Sequence, residues 1–216
     1  MPHLFTDRSG GYSLGGYQSL NFGLHVGDDP ANVLANRRTL TATQFMNQEH
    51  GDEVVLVTDL MEIEPNCDAM ITTNPNISLA VMVADCIPLL FIAKEAVAAV
   101  HVGRAGLLNQ IALKTLVAMR NIGAIDVHAI LGPSICGKCY EVPFALQQEV
   151  ITEHPKAFSL TRKGTPGLDL VGALVADLIQ HGITYETSTI CTLENSLFFS
   201  HRRDKPTGRF AGVVSI

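Results

Sequence analysis

Residues 79–93 read LAVMVADCIPLLFIA, an apolar run broken only by Asp85-Cys86 and by Pro88. Unbroken apolarity rich in Val, Ile and Leu is the pattern of strands covered on both faces, whereas a half-exposed strand alternates. Proline lacks the amide donor that a central strand position needs, and aspartate is disfavoured there. The run therefore predicts a buried strand over Leu79–Val83, a polar kink at Asp85-Cys86, and a second strand over Leu89–Ile92.

The next segment, AVAAVHVG (96–103), predicts a further strand closing at His101, and Gly103 and Gly106 then form a Gly-x-x-Gly turn that opens a helix. Upstream, NQEHGDEVVLV (47–57) puts His50 just before Gly51, on the turn into another strand. His50, Cys86 and His101 are thus all expected at strand ends. Two imidazoles and a thiolate are donors that zinc takes, and three ligands leave a fourth tetrahedral position for water, phosphate or substrate, as in catalytic centres. Separations this long obey no local rule, so the same residues also fit as packed or hydrogen-bonded core residues. A third reading makes Cys86 and His101 a nucleophile and its base, without metal.

The rest of the chain alternates strands and helices with no linker, repeat or low-complexity segment. That predicts one α+β (mixed α/β) domain over residues 1–216, with mixed β-sheets flanked by helices. Further strands are expected at Glu53–Val57, Val97–Val100, Val127–Leu131, Thr187–Thr192 and Gly212–Ile216. Asp29-Pro30 heads a helix through VLANRRTLTATQF (33–45), and helical spacing predicts another over Leu107–Ile122. Phe144–Glu153 follows a proline, and Asp169–His181 stops at Gly182.

With 216 residues, 47% of them hydrophobic, the chain is long enough to bury a full core. Asp85 and Pro88 interrupt its longest apolar stretch, and MPHLFTDRSGG lacks the basic-then-apolar order of a signal peptide, so no membrane span and a cytoplasmic location are expected. Five cysteines, an odd number, argue for reduced thiols that are free to bind metal. A net charge of −6 and a pI near 5.7 argue against a nucleic-acid surface and for a small-molecule substrate.

Positive charge collects at Arg37-Arg38 and at Arg202, Arg203, Lys205 and Arg209 in FFSHRRDKPTGRF (198–210). An isolated pair fits a solvated face, but the second cluster follows Phe198-Phe199 and is framed by Pro206 and Gly208, a turn able to hold guanidinium forks at the rim of an oxyanion site. Cys136-Gly-Lys-Cys139 reads as structural or incidental. No second Cys-x-x-Cys or His pair completes a metal site, and redox pairs of this kind open a helix, whereas Tyr140 and Pro143 follow here. No Gly-x-Ser-x-Gly elbow, P-loop or dinucleotide fingerprint is present.

In order along the chain, SLNFGLHVGDDPANVLANRR, NQEHGDEV, ADCIPLLF, AAVHVG, LGPSICGKCYEV and CTLENSLFFSHRRDKPTGR resemble the YfiH/YlmD family, also called the laccase-domain or multicopper polyphenol oxidase family. The resemblance covers nearly the whole chain. It implies a zinc-dependent purine nucleoside phosphorylase that also deaminates adenosine and cleaves methylthioadenosine. It implies a fold akin to the cytotoxic necrotizing factor catalytic domain, and zinc ligands at His50, Cys86 and His101. The older laccase label implies copper instead, but eight scattered histidines with no His-x-His argue against several copper sites. One block departs from the family's His-Ala-Gly-Trp-Arg-Gly: this chain has HVGRAG, with Arg104 for the Trp and Ala105 for the Arg.

The expected site follows. Zinc on His50, Cys86 and His101 orients the nucleophile, and Asp85 and Gln48 assist as acid/base or polar partners. Arg38, Arg202 and Arg203 hold phosphate or ribose, with Arg104 reaching the same anion; Arg38 also suits a buried tie between helix and sheet. Purine nucleoside and phosphate are the expected partners of a monomer or homodimer. An amide hydrolase editing cell-wall precursors through Cys86 and His101, and a noncatalytic nucleotide-binding scaffold, are the other readings.

Overall fold

In the computed structural model, which describes residues 3–216, the run of residues 79–93 is split between two sheets. The smaller sheet joins β1 (His3–Phe5), β2 (Thr43–Gln44), β5 (Ser78–Val83) and β12 (Phe210–Val214) in the order β1-β12-β5-β2. The larger joins β3 (Val54–Leu56), β4 (Ala69–Thr72), β6 (Ile87–Ile92), β7 (Val97–Val102), β8 (His128–Leu131) and β11 (Thr184–Thr187) in the order β11-β8-β6-β7-β4-β3. β9 (Phe158–Leu160) and β10 (Pro166–Leu168) form a separate antiparallel pair. Both large sheets are mixed: β2 runs parallel to β5, β3 to β4 and β11 to β8, and their other pairs are antiparallel.

Alternation along each strand assigns its side chains to layers. Leu79, Val81 and Val83 of β5 face Leu90, Val97 and Ala99 of β6 and β7, so the two sheets pack on each other. Ala80 and Met82 turn to the opposite side and meet Phe22 and Phe45. The outer face of the larger sheet, with Leu89, Phe91, Ala98 and Val100, is covered by helices. Both faces of β5, β6 and β7 are therefore dry, which is why residues 79–93 do not alternate. The polar kink is the crossover from one sheet to the other. Pro88 lies inside β6 opposite His101, at the row where pairing with β8 has ended, and its carbonyl accepts the Gly132 amide at 3.0 Å.

The helices are α1 (Pro30–Arg37), α2 (Arg104–Leu108), α3 (Ile111–Asn121), α4 (Phe144–Glu153) and α5 (Leu170–Gln180). Asp29 caps α1 by accepting the Ala31 amide at 2.9 Å. The helix expected through Phe45 stops at Arg37. Arg37 turns inward onto the Phe22 carbonyl and the Phe45 ring, Ala42 takes a positive φ, and Thr43-Gln44 join β5 as a strand. The single helix expected over Leu107–Ile122 is two, split where Gln110 adopts φ 61° and Asn109 reaches the Gly51 carbonyl at 2.7 Å. The strand expected at Thr187–Thr192 ends at Thr187, and Cys191 makes only an isolated bridge to Ser134. β12 begins at Phe210 rather than Gly212 because Phe210 pairs with Val83. None of the described helices is long and apolar enough to cross a membrane.

Candidate active site at the crossover between the sheets

The crossover brings Cys86 to the end of the inter-sheet layer, beside His101 on β7. His50 arrives on the turn before β3. One donor atom from each of these three residues lies within 4.8 Å of the others, and the two imidazole rings meet edge to face at 4.6 Å. Gly103 is the floor beneath them: a Cβ there would stand 3.0 Å from Cys86 Sγ and 3.3 Å from His50 Cδ2.

Asp68, buried at the start of β4, organises the cluster. Its carboxylate lies 2.7 Å from His101 Nδ1 and accepts the backbone amides of Glu49, His50 and Gly51. That wrap gives His50 its positive φ of 59° and leaves His101 Nε2 as the nitrogen presented to Cys86. Burial alone would push the Asp68 carboxyl up, but the His101 hydrogen bond and the amides outweigh it and hold the carboxyl low. Burial likewise opposes charge on Cys86 and His101, yet each favours the charged form of the other. The thiol is drawn down to about 6. The imidazole, with Asp68 behind it, is raised to about 9. Both shifts favour a thiolate–imidazolium pair in the metal-free cluster. The donor set of one thiolate and two imidazoles, with the second nitrogen of one ring anchored on a carboxylate, fits a catalytic zinc ion.

The donors open onto a cavity of about 360 Å³, a size suited to a small organic ligand. His25, Tyr140, His201, Arg104, Arg202 and Arg209 line it with Gln48 and Asp85. Arg209 is half-buried, and burial lowers its pKa while the Cys86 and Asp85 charges oppose that shift. Arg202 lies over the Tyr140 ring at 5.1 Å. Burial and then the Arg209 charge depress both His25 and His201.

The sequence-predicted residues divide. His50, Cys86, His101, Asp85, Gln48, Arg104 and Arg202 all reach the cavity. Arg38 does not: it is exposed at the end of α1, and the buried tie between helix and sheet is Arg37, ion-paired with Glu64. Arg203 does not line the cavity either, because its guanidinium is spent on the Thr192, Leu193, Asn195 and Phe198 carbonyls and on Asp204. Gln48 holds the Met82 amide and carbonyl at 2.8 and 2.7 Å. Asp85, at φ 90°, accepts the Thr192 hydroxyl and the Arg202 amide, both at 2.7 Å, so each of its oxygens already has a partner. Sequence reasoning gave no role to Asp68, Tyr140, His25 or His201. The usable hint for Asp68 was an acid heading the apolar run Ala69–Ile71.

The family described as "Multi-copper polyphenol oxidoreductase laccase" matches residues 2–216. A Mycobacterium tuberculosis protein named a purine nucleoside phosphorylase is 41% identical over 223 aligned residues, covering 97% of this chain and 89% of that protein. The crystal structure of the Bacillus licheniformis hypothetical protein YfiH superposes with a TM-score of 0.90 at 31% identity, covering 99% and 92% of the two chains. That of YlmD from Geobacillus stearothermophilus gives 0.90 at 30%, covering 99% and 90%. A family match over residues 2–216, with a sequence and a fold shared at this extent, places the chain in the multi-copper polyphenol oxidoreductase laccase family, with YfiH and YlmD as structural neighbours.

Proposed function

We propose that the protein is a purine nucleoside phosphorylase in which His50, Cys86 and His101 hold one zinc ion. The observation that carries this reading is the convergence of those donors on a cavity rimmed by Arg104, Arg202 and Arg209. The names borne by the relatives supply nucleoside and phosphate as the substrates. Zinc bound there supplies a Lewis acid with an open coordination position. The three guanidinium groups attract and orient phosphate, whose attack on the anomeric carbon passes through an oxocarbenium-like state stabilised by the anion beneath the sugar. Tyr140, whose ring carries Arg202, supplies an aromatic wall on the base's side of the cavity. We assign Asp85 and Gln48 a positioning role, since both are engaged by the backbone around the cavity.

Inosine, guanosine, adenosine and methylthioadenosine are the proposed substrates, and adenosine deamination the accompanying activity. Zinc is favoured over copper because the other donor group among the described residues contains no histidine, whereas a multicopper oxidase draws on several histidine-rich sites.

Elemental analysis with inosine and adenosine turnover, with and without phosphate, on wild type and His101→Ala tests the reading. We expect phosphate-dependent release of hypoxanthine from inosine, and loss of about one zinc per chain together with the activity in the variant. Metal-loaded protein that leaves every nucleoside intact would sink it. The Cys86, His101 and Asp68 geometry supports a second reading, a thiol amide hydrolase, which would survive chelation and be silenced by iodoacetamide.

A further inference from the structure

We propose that Cys136, Cys139, Cys191 and Glu194 form a second, structural metal site that takes one thiophilic divalent cation such as zinc. Sequence reading set the Cys136/Cys139 pair aside for want of completing ligands, and the fold supplies them from residues far along the chain. One ligand atom from each of the four lies within 4.8 Å of the others, and all three cysteines are free thiols. In a tetrahedral site with zinc–sulfur and zinc–oxygen bonds of ~2.0–2.3 Å, neighbouring ligand atoms stand roughly 3.5–3.8 Å apart. Small side-chain adjustments close that difference.

The local backbone is shaped for the purpose. Cys136-Gly-Lys-Cys139 is a tight turn in which the Cys136 carbonyl accepts the Cys139 and Tyr140 amides at 2.9 and 3.0 Å. Gly137 is required at its tip, where a Cβ would stand 2.7 Å from Asp169 Cβ. The Cys136 amide donates to Cys191 Sγ at 3.4 Å, and an N–H aimed at sulfur favours the thiolate that a metal needs. Arg162 Nε and Nη2 both bond Glu194 Oε1, at 2.8 and 2.5 Å, which orients the carboxylate. The same carboxylate lies against the Cys139 thiol, so its orientation faces the cysteines. An outer partner that fixes a carboxylate ligand is a recurrent element of metal sites.

Four protein ligands make a closed site, structural rather than catalytic. On binding, each thiol gives its proton to solvent and no electrons move. What the ion joins is the wall of the active-site cavity. The segment with Cys136 and Cys139 carries Ile135, whose amide holds the Asp85 carbonyl at 2.9 Å, and Tyr140. The segment with Cys191 carries Thr192, on Asp85 Oδ1, and continues to Arg202. The ion staples these two segments together behind Asp85.

The test uses the full chain with the other centre removed, His50→Ala/His101→Ala, so that it stands whatever becomes of the phosphorylase reading. About one zinc per chain should remain, and should vanish when Cys136→Ser/Cys139→Ser is added. Cobalt replacing that zinc should give tetrahedral visible bands and strong thiolate-to-metal absorption. In wild type, Cys136, Cys139 and Cys191 should resist a thiol reagent until a chelator is added, a reading that needs no variant to fold. Metal-free double variant, immediate reaction of these thiols, or a Cys136–Cys139 disulfide in the mass spectrum would each overturn the proposal.

Discussion

The Asp68 carboxylate holds His101 by its side chain and His50 by its amide, so two donors depend on one buried acid. Asp68→Asn keeps the shape and removes the charge. We expect metal affinity to fall about 10–100-fold, read by competition with a chromophoric chelator. The same residue sets an acid limit on stability. Its folded pKa is depressed, so its contribution is present above the unfolded value near ~3.9 and is lost as pH falls below that through the lower folded value. Acid unfolding of the wild type should be steeper below pH ~4 than that of Asp68→Asn, measured by tryptophan-independent circular dichroism. In the metal-free chain, alkylation of Cys86 should rise through pH about 6 rather than near the ordinary thiol value, because burial is outweighed by the His101 charge and hydrogen bonds. A rise only above pH ~8 would remove the thiolate–imidazolium pair.

Among the elements, the informative positions are the interruptions. Gln110 sits in the left-handed region between α2 and α3, where a β-carbon costs about 1 kcal/mol, so Gln110→Gly should stabilise the protein by roughly 0.5–1 kcal/mol in urea unfolding. Gly103→Ala crowds Cys86 Sγ and His50 and should lower metal affinity about tenfold with the far-ultraviolet spectrum unchanged. The run of residues 79–93 was legible because dry strands leave an unmistakable composition, and the kink at Asp85-Cys86 marked the crossover correctly. The split at Gln110 was not legible, since Leu107 to Ile122 keep helical spacing across it and the break depends on Asn109 meeting Gly51. β4 was missed because Ala69–Thr72 is short and its partners are β3 and β7, neither of which its own residues reveal. Arg38 and Arg37 were interchanged for the same reason: which of two adjacent arginines turns inward is decided by Phe22, Phe45 and Glu64. The three candidate metal donors were singled out by their places at expected strand ends and named as a ligand set by the resemblance; their approach to one another is a property of the folded sheets.

For the whole molecule, the layer between the sheets and the cavity at its end are one construction. Leu90, fully buried there, should cost about 2–5 kcal/mol as Leu90→Ala in equilibrium denaturation. The net charge of −6 repels anions at long range, while Arg104, Arg202 and Arg209 attract them at the cavity. Salt screens both, and the close cationic rim dominates once phosphate arrives, so the KM for phosphate should rise about threefold between roughly 0.02 and 0.2 M salt. Chain order adds a constraint in time. β12, latest of the strands, lies between β1, the earliest, and β5, whose far end runs into the crossover. A chain emerging from the ribosome therefore carries an open slot in the middle of its smaller sheet until residues 210–214 arrive. Until that slot fills, Cys86 hangs from an unfinished edge, so the cavity proposed to take metal and phosphate is not complete before residues 210–214 are in place.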